Sequence, residues 1–419
     1  MKNWQAMNIA SFLTERQGRY KPYDKQIQNI PRLDKIDFSG TIHLSSKPTK
    51  TDMIIIEQGD LVISGINVAK GAIAIWQGKR PIAATIHYSS YIFDKEKIDI
   101  DFFKRYLKSP VFIKALQAQV KGGIKTEIKA KNLLPLMVNI PPLPIQCKIK
   151  KHFETFESKL SNLNNEIENQ DKYLIKLRQA ILQEAIEGKL TTDWRKNNPV
   201  RKGDERYDAE ALLEKIKKER NRKERGERKE KMLSPIKAKD MPFALPKGWM
   251  WTRLGEICDF QYGKALSEEF RNNNGKYPVY GANGIKNYSN KYNYDKKTIV
   301  AGRKGSAGEL NLTERYFWAL DVTYFIVFNE NLLNLQFLYK LLLTLDLPNL
   351  AKGVKPGLNR NEVYELIIPI PPLSEQYLIV ERVEKRLSFV NNLEIQVKER
   401  KIQMGRLWQT VLQDVFDNN

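Results

Sequence analysis

The sequence predicts an α+β fold in which two globular α+β domains are held at opposite ends of an antiparallel two-helix coiled coil and are related by a pseudo-twofold axis. Three observations carry this prediction. Residues 140–186 and 370–416 show the same pattern at a constant offset of 230, without a gap. Apolar residues in these segments recur at spacings of four and three, which is typical of helices that pack lengthwise on one another. Each segment also follows a region of short β-rich runs and one apolar helical stretch.

Composition limits the class of protein. A chain of 419 residues has room for two to three domains, and 42% hydrophobic residues with a mean hydropathy of −0.51 are typical of a soluble globular protein. The sequence has neither a run of 18 apolar residues nor the layout of a signal peptide, so we expect a cytoplasmic protein that does not contact membranes. Cys147 and Cys258 lack metal-ligand spacing, and we expect ordinary reduced thiols and no metal site.

The chain is strongly basic. Its 70 Lys and Arg residues against 49 Asp and Glu residues leave a net charge of +21 and a pI near 9.6. A polyanion is the first partner that this charge indicates. A lysine-rich composition inherited from an AT-rich genome would give the same total, so the distribution of the charge has to decide.

The first globular domain is predicted over residues 1–142. Strands are expected at residues 53–56, 61–64, 72–76 and 89–93, and an apolar helix is expected over residues 102–120. The first long helix is predicted over residues 143–190. Pro141 and Pro142 would end the preceding strand and Gly188 would close the helix.

A charged connector is predicted over residues 191–244. It contains few large apolar residues outside Leu212, Leu213 and Ile216, and a partly helical segment is the natural interpretation.

The second globular domain, residues 245–372, repeats the plan of the first more loosely. Strands are expected at residues 298–301 and 323–328, and a helix is expected over residues 337–347, before the second long helix over residues 373–419. The offset between equivalent positions changes from 237 at Gly65 and Gly302 to 235 at Phe93 and Phe328, whereas it stays at 230 along the helices. Loops have changed length where the geometry was free to change, which indicates that helix length is a specified quantity.

The pairing seam of the helices is predicted from eight matched positions. The first helix supplies Ile149, Phe153, Leu160, Leu163, Ile167, Leu174, Leu177 and Ile181, and the second supplies Ile379, Val383, Val390, Leu393, Val397, Met404, Leu407 and Val411. Gln170 and Arg400, again 230 apart, interrupt this pattern. A polar residue in a seam can fix its register, and solvent-facing positions at a splayed end would show the same residues.

Two long helices of equal length suggest a rigid spacer that holds one binding domain at each end. At about 1.5 Å per residue each helix would span roughly 65 Å. An ordinary helical hairpin that supports two unrelated domains is the alternative, but the domains are repeated together with the helices.

Glycine-rich loops with cations follow strands in both domains, at residues 64–71 and 122–126 and again at residues 301–308 and 352–357. Glycine lets the backbone approach a surface closely, while Asn, Lys, Arg and Tyr side chains bind base edges, phosphates and sugars. A single loop of this kind is as easily a solvated turn, and recurrence in both copies favours a nucleic-acid site. The candidate DNA-binding residues are Asn67, Lys70, Thr85, His87, Lys125 and Thr126 in the first domain and Tyr280, Asn283, Lys286, Arg303, Lys304 and Lys355 in the second.

Three motifs carry a resemblance to a known family. Residues 245–255 read Leu-Pro-Lys-Gly-Trp-x-Trp-x-x-Leu-Gly, residues 368–376 read Ile-Pro-x-Pro-Pro-Leu-x-x-Gln, and residues 187–195 read Glu-Gly-Lys-Leu-Thr-x-x-Trp-Arg. In their order along the chain, these motifs resemble those of the specificity subunits of type I restriction-modification enzymes. The resemblance covers nearly the whole chain. It implies that each globular domain is a target recognition domain, that the helices form the coiled coil that spaces them, and that the subunit has no catalytic activity and no cofactor of its own.

The resemblance also implies partners. These are double-stranded DNA with a bipartite site, two modification subunits that use S-adenosylmethionine to methylate adenine, and restriction subunits that use ATP and Mg²⁺ in translocation and cleavage.

The sequence departs from the family pattern in the first copy. Pro144 and Ile145 stand where the second copy has Ser374 and Glu375, so the start of the first helix is expected to differ by up to a turn. The first domain starts near Trp4 without the Leu-Pro-Lys-Gly-Trp motif. The loop sequences of the two domains differ strongly, which predicts two different half-sites and an asymmetric target.

Enzyme motifs are missing from the sequence. It has no phosphate-binding Gly-x-x-x-x-Gly-Lys, no His-Glu-x-x-His and no Asn/Asp-Pro-Pro-Tyr/Phe, and its histidines, His43, His87 and His152, are scattered. Two alternatives remain beside the specificity subunit. One is an enzyme that acts on DNA by itself, and the other is a coiled-coil adaptor that binds only proteins and has DNA affinity unrelated to sequence.

Overall fold

The computed structural model describes residues 4–45, 47, 49–65, 72–119, 129–223, 233–353 and 357–417. The chain divides into two compact units, Met1–Asn169 with Val397–Asn419 and Gln170–Gln396. Each unit holds one globular domain of mixed helix and sheet together with parts of both long helices. The predicted α+β fold class is therefore confirmed.

The first globular domain contains short strands and short helices. Its strands are β1 (Gln5–Asn8), β2 (Leu13–Glu15), β3 (Arg32–Ile36), β4 (Ile42–Ser45), β5 (Met53–Ile56), β6 (Leu61–Ser64), β7 (Ile73–Ile75), β8 (Ile82–Thr85), β9 (Tyr88–Phe93) and β10 (Met137–Ile140). Its helices are α1 (Ile100–Tyr106), α2 (Pro110–Gln119) and α3 (Ala130–Leu133). The first long helix, α4 (Leu143–Ile186), follows.

The second unit continues with α5 (Thr192–Asn197) and α6 (Ala209–Lys223) before its globular domain begins. The strands of that domain are β11 (Met250–Arg253), β12 (Cys258–Tyr262), β13 (Tyr277–Gly281), β14 (Gly284–Ser289), β15 (Ile299–Gly302), β16 (Leu310–Leu312), β17 (Trp318–Ala319), β18 (Thr323–Phe328) and β19 (Ile367–Ile370). Its helices are α7 (Leu254–Ile257), α8 (Leu335–Leu343) and α9 (Arg360–Tyr364), and the second long helix is α10 (Leu373–Asp417).

The two domains share their sheet topology except for one strand, β5, which in the second domain is replaced by an isolated bridge between Tyr294 and Phe317. In the first domain β1 pairs with β10, a second sheet has the order β2-β9-β6-β7, and a third has the order β4-β3-β8-β5. The corresponding sheets of the second domain are β11-β19, β12-β18-β15-β16 and β14-β13-β17. The third sheet of each domain contains one parallel pair, β3 with β8 and β13 with β17. The internal repeat seen in the sequence therefore extends to the order of the strands.

Most predicted strands are found at or near their expected bounds. The strands at residues 53–56, 61–64 and 323–328 are confirmed at the predicted residues. The strand expected at residues 72–76 is shorter, that at 89–93 begins one residue earlier, and that at 298–301 is displaced by one residue.

The single helix predicted over residues 102–120 is wrong. The segment forms α1 and α2, which are separated at Pro110 because proline cannot donate the backbone N–H that a continuous helix requires. The Ser109 hydroxyl instead accepts a hydrogen bond from the Phe112 N–H at 3.2 Å. The helix predicted over residues 337–347 also ends early, at Leu343, before Asp346 adopts a φ of 48°.

The two long helices start at equivalent residues, so the predicted difference of a turn is wrong. Leu143 and Leu373 are their first residues, which preserves the offset of 230. The reason is a buried glutamine one turn into each helix. Gln146 Nε2 donates to the Pro141 carbonyl at 2.8 Å, and Gln376 Nε2 donates to the Pro371 carbonyl at 3.2 Å. The exchange of Ser374 and Glu375 for Pro144 and Ile145 leaves this bond in place.

The same glutamines connect each long helix to its own domain. Gln146 Oε1 accepts the Asp99 N–H at 2.7 Å, and Gln376 Oε1 accepts the Asn334 N–H at 2.9 Å. Asp99 and Asn334 cap α1 and α8 with their side chains. A repeated contact thus fixes where the domain helix meets the long helix in each unit.

The long helices run antiparallel within each unit. In the second unit the Arg178 guanidinium donates to Glu394 at 2.9 Å, and the Arg386 guanidinium donates to Glu184 at 2.9 Å. Higher numbers on α4 thus pair with lower numbers on α10. In the first unit Phe156 of α4 stacks on Trp408 of α10 with ring centroids 6.0 Å apart.

The predicted seam separates into two rows of different burial. The inner row, spaced by seven residues, is buried or half-buried and consists of Phe153, Leu160, Ile167, Leu174 and Ile181 on α4 and Val383, Val390, Val397, Met404 and Val411 on α10. Ile149 and Ile379, near the helix starts, are half-buried and buried.

The outer row consists of Leu163, Gln170, Leu177, Leu393, Arg400 and Leu407. Its four leucines are 41–45% exposed, so the prediction that they lie in a buried seam is corrected. One heptad row is enough to fill the interface of two helices, and the second row then lies at its margin. Gln170 and Arg400 belong to the outer row, where Gln170 is half-buried and Arg400 is exposed.

The end of α10 completes the core of the first unit. Phe416 packs on Tyr106, Phe102 and Phe153 with ring centroids 5.4–5.6 Å apart, and Leu412 is fully buried in the same cluster. The two halves of the chain therefore share one hydrophobic core in this unit.

Residues 191–244, predicted as a charged connector, contain buried apolar residues. Leu212 and Ile216 of α6 are at most 2% exposed, and Leu213 is also buried. The Arg220 guanidinium donates to the Gly255 carbonyl of α7. The apolar face of α6 is thus part of the second unit.

Candidate nucleic-acid interface

In the second domain, loops that follow several strands meet at one edge of the sheets. A Cβ at Gly302, the last residue of β15, would collide with the Ala282 carbonyl in the turn between β13 and β14. The Lys264 N–H donates to the Ala319 carbonyl at 2.9 Å, and the Leu358 N–H donates to the Arg303 carbonyl at 2.9 Å. Loops distant in sequence therefore form one continuous surface.

Tyr262 lies at this edge and is held by its neighbours. The Arg303 and Arg360 guanidinium groups lie 5.4 Å and 4.9 Å from the centroid of its ring, within the range of cation–π contacts. The Tyr324 ring is 5.0 Å away, and burial together with the Tyr262 hydroxyl raises the pKa of Tyr324 to about 12. Tyr262 nevertheless remains 49% exposed.

The predicted residues Asn283, Lys286, Arg303 and Lys304 all lie at this edge. Asn283 is exposed in the turn between β13 and β14, and the Lys286 side chain lies over Gly281. Arg303 is partly committed to its own chain, because its Nε and Nη2 donate to the Asp321 carbonyl at 3.0 Å and 2.7 Å. Lys304 is exposed.

Tyr280 does not belong to this surface, and the prediction that it binds DNA is corrected. It is 5% exposed and packs against Phe317 with ring centroids 5.5 Å apart. Its neighbour Val279 is also buried, in a separate core cluster, so β13 is covered on both faces at this point. Lys355 lies outside the described residues.

The first domain has a related edge. Thr85 ends β8 opposite Met53, and the His87 carbonyl accepts the Gly65 N–H at 3.0 Å, just after β6. The Arg303 N–H makes the equivalent bond to the Val322 carbonyl at 2.8 Å just after β15, so Gly65 aligns with Arg303 and not with Gly302 as the sequence indicated. Asn67, Lys70, Lys125 and Thr126 lie outside the described residues.

Two cations border Thr85 and His87. Arg19 and Lys21 bind the Asp52 carboxylate at 2.8 Å and 3.1 Å, and with Lys21 as the stronger influence they hold the pKa of Asp52 below its usual value. The Asp52 carbonyl accepts the Ile86 N–H at 3.1 Å. The two positive charges against one carboxylate leave this edge basic.

Sequence reasoning missed Tyr262, Lys264 and Arg360. Tyr262 and Lys264 could have been predicted from the residues that follow β2 and β12. β2 and β12 pair with β9 and β18 in the same register, which makes Gln17-Gly18-Arg19 equivalent to Tyr262-Gly263-Lys264. A strand followed by glycine and a cation thus occurs at a further equivalent place in both domains.

A second exposed aromatic group lies at the opposite end of β13. Tyr277, Tyr292 and Tyr316 pack on one another with centroids 5.1–5.8 Å apart, and Lys276 and Arg315 lie over two of the rings. Tyr316 has a φ of 56°, which a tyrosine rarely adopts.

All three family motifs converge on one buried carboxylate in the second unit. Glu375, 1% exposed, accepts hydrogen bonds from the Thr191 hydroxyl at 2.6 Å, from the Trp249 indole at 2.8 Å and from the Arg195 guanidinium. Arg195 also donates to the Gly188 carbonyl at 2.6 Å. The end of α4, the first residues of the second domain and the start of α10 are therefore joined at one point.

The described residues contain no group of three His, Cys, Asp or Glu side chains arranged as metal ligands. Burial raises the pKa of the Cys258 thiol to about 12, which keeps it protonated and unreactive at neutral pH. In the same described parts of the chain, no helix is both long and apolar enough to cross a membrane.

The fold and this surface define a class of protein: a duplicated recognition scaffold, with cations at the strand ends of both domains. Residues 246–400 match the family described as type I restriction modification DNA specificity domain. The EcoDI specificity subunit of Escherichia coli is 22% identical over 349 residues, which cover 78% of this chain and 71% of that protein. The EcoAI specificity subunit of Escherichia coli is 33% identical over 125 residues, which cover 29% of this chain and 18% of that protein.

Solved structures agree with these sequence matches. The HsdS subunit from Thermoanaerobacter tengcongensis has a TM-score of 0.51 and 16% identity over 99% of this chain and 96% of that one. A chain from a structure of a type I R-M system, described in terms of complex assembly and conformational transition, has a TM-score of 0.61 and 16% identity over 99% and 97%. At such identities the structures support the fold alone. With the sequence matches, they make the chain similar to type I restriction-modification specificity subunits, most directly over residues 246–400.

Proposed function

We propose that this chain is the non-catalytic subunit that selects the DNA target of a type I restriction-modification enzyme. Each globular domain reads one half of a bipartite, asymmetric site in double-stranded DNA. The paired helices set the spacer between the half-sites and bind two adenine methyltransferase subunits. Restriction subunits join this assembly, so that one chain directs both methylation and cleavage.

The proposal rests on a difference between two parts of the internal repeat. The long helices keep the same spacing in both copies, whereas the loops differ in sequence. The sheet order recurs in both domains and the helices start 230 residues apart, whereas the strand-end loops differ in length and in side chains. Such a division suits a molecule whose helices fix a distance while its loops fix which bases are read.

The proposed contact is the major groove of each half-site. Hydrogen bonds from side chains in the strand-end loops would identify base edges, and Lys and Arg side chains would bind phosphates and fix the register. The two edges carry different residues at equivalent places, Tyr262 and Lys264 in one and Gln17 and Arg19 in the other. Different half-sites are the expected result.

The outer row supports a partner surface on the helices. Leu163, Leu177, Leu393 and Leu407 recur in both helices and remain exposed, and α10 also exposes Phe389 and Ile395. Exposed apolar side chains in a repeated arrangement are typical of a protein interface. Repetition in both helices matches a requirement for two copies of one partner.

A change in helix length tests the proposal. One heptad inserted before Ile167 and another before Val397, which are equivalent positions, keeps the inner row in register and lengthens the helix pair by about 10 Å. Because base pairs rise about 3.4 Å, we expect the spacer to grow by about three base pairs while both half-sites keep their bases. Methylome sequencing of a strain that carries the variant measures both quantities.

Insertion of the heptad before Ile167 alone is the control, since it shifts one helix against the other and should abolish specific methylation. An unchanged spacer in the double insertion would contradict the proposal that helix length sets the distance between the half-sites. A chain that binds the methyltransferase but shows equal affinity for all DNA sequences would instead identify an adaptor.

A further inference from the structure

We propose that Tyr262 is a specificity-determining contact to the half-site read by the second domain, and that Arg303 and Arg360 are positioning residues that hold its ring. This inference rests on the proposed function. It assigns the reading role to a residue that sequence motifs do not single out, and it reassigns Arg303 from a base contact to a support.

Tyr262 is both exposed and restrained. Nearly half of it is accessible at 49%, yet Tyr324, Arg303 and Arg360 all pack around the ring. An aromatic side chain with few rotatable bonds that is already held in place loses little entropy when it binds a partner. This combination distinguishes Tyr262 from a solvated surface tyrosine.

The two arginines are engaged within the protein. Arg303 uses Nε and Nη2 on the Asp321 carbonyl, and Arg360 Nη1 donates to the Phe260 carbonyl at 3.1 Å. A guanidinium that recognises guanine uses two N–H groups of its fork at once. Arg303 has committed one such pair, its Nε–Nη2 edge, to the Asp321 carbonyl, and a guanidinium held in this way fixes the ring that it covers.

The surroundings of the ring fit a nucleic acid. Lys264 and Lys304 are exposed on the loops that meet at this edge, Lys286 is exposed near the start of β14, and Asp321 is an exposed carboxylate at the same edge. Lys352 adds a cation that pairs with Glu362 at 3.1 Å. Lysines bind phosphates as point charges, while an aromatic ring in the major groove of a duplex makes apolar contact with the methyl group of thymine. Together they provide one aromatic contact within a ring of phosphate contacts.

The second aromatic group offers a matched comparison. Tyr292 is 47% exposed, belongs to the same domain and also lies near cations, but it is at the other end of β13. If exposed tyrosine near lysine were sufficient for binding, both residues would contribute. Our assignment predicts that only Tyr262 does.

The test is selection of bound duplexes from a random DNA pool by the full chain in complex with its methyltransferase subunit. The main variant is Tyr262→Gln, because strand register makes Gln17 the equivalent residue of the first domain. We expect a loss of roughly five- to a hundredfold in affinity for the half-site of the second domain, about the cost of one mismatched base pair. Base preference there should weaken, the other half-site should be unchanged, and Tyr262→Phe should remain close to the parent chain.

Arg360→Lys tests the positioning role. Lysine keeps the charge but cannot cover the ring as a planar guanidinium does, so we expect a smaller loss confined to the same half-site. Tyr292→Gln should leave both half-sites unchanged.

Three outcomes would overturn the inference: unaltered preference in Tyr262→Gln, an equal loss on all sequences, or a loss in Tyr292→Gln instead. If the parent chain itself selects no sequence, the proposed function fails as well, which separates the two conclusions.

Discussion

At the scale of single residues, Glu375 explains why three motifs that are distant in sequence occur together. Its carboxylate is the common acceptor for Thr191, Arg195 and Trp249, so each motif supplies one side of the same buried junction. The equivalent position of the first copy is Ile145, which has no carboxylate to offer. The junction is therefore a property of the second copy alone.

Removing this carboxylate should destabilise the second unit. Glu375→Ala leaves the Arg195 charge and the Trp249 indole N–H without their acceptor in a buried place, and we expect a loss of about 3 kcal/mol in the free energy of unfolding. Glu375→Gln keeps an acceptor oxygen and should lose less. Urea denaturation followed by tryptophan fluorescence measures both.

Glu381→Ala provides the comparison, since Glu381 is an exposed carboxylate on the same helix. It should change stability by less than about 0.5 kcal/mol. Equal effects of Glu375→Ala and Glu381→Ala would show that the junction contributes no stability beyond that of a surface charge.

At the scale of elements, the helices and strands could be predicted from the sequence. The residues that pack around them could be predicted only in part. Heptad spacing located both long helices because it is a local property of the chain. It could not distinguish the inner row from the outer row, because both recur every seven residues and are mainly apolar, and only the path of the partner helix decides which is covered. Leu163 and Ile167, one turn apart on α4, differ in this way.

The candidate site was predicted less completely for a similar reason. Asn283, Arg303 and Lys304 stand in glycine-rich loops and Lys286 lies near the start of β14, all of which a single segment reveals. Tyr262 owes its restraint to Arg360, almost a hundred residues later, and no local pattern joins the two.

The paired glutamines give a prediction at this scale. Gln146→Ala removes the acceptor of the Asp99 N–H, and Gln376→Ala removes that of the Asn334 N–H. The loss of a buried hydrogen bond costs about 1–3 kcal/mol, so amide hydrogen exchange should accelerate by roughly five- to 150-fold at the start of α1 in the first variant and of α8 in the second. Exchange measured by mass spectrometry on both variants resolves the two segments.

Each variant serves as the control for the other, because the two glutamines have no common partner among the bonds described above. Acceleration of both segments by either substitution would mean that the glutamines act through the whole chain and not at one helix start.

At the scale of the whole molecule, the repeat makes the two long helices chemically interchangeable along the inner row but not at their ends. Phe416 and Leu412 of α10 fill the core of the first unit. The positions on α4 that are 230 residues earlier are Ile186 and Leu182, both buried in the second unit. The side chains that close the two cores thus differ mainly at one position, phenylalanine against isoleucine.

This difference predicts how half of the molecule should behave. A chain of residues 1–190 exposes the inner row of α4, and a second copy can cover it antiparallel in place of α10, so we expect a symmetric dimer. Ile186 of each partner would then enter the core that Phe416 fills in the full chain. Isoleucine is smaller than phenylalanine, so it would leave part of the space beside Phe102, Tyr106 and Phe153 unfilled. Because a poorly filled core loses contacts and leaves a cavity, Ile186→Phe should tighten the dimer by about tenfold, which is about 1.4 kcal/mol. Sedimentation equilibrium of both half-chains measures the dissociation constants. A monomeric half-chain would show that the inner row does not drive pairing, and a weaker Ile186→Phe dimer would show that the core accepts Phe416 only from the register that α10 itself provides.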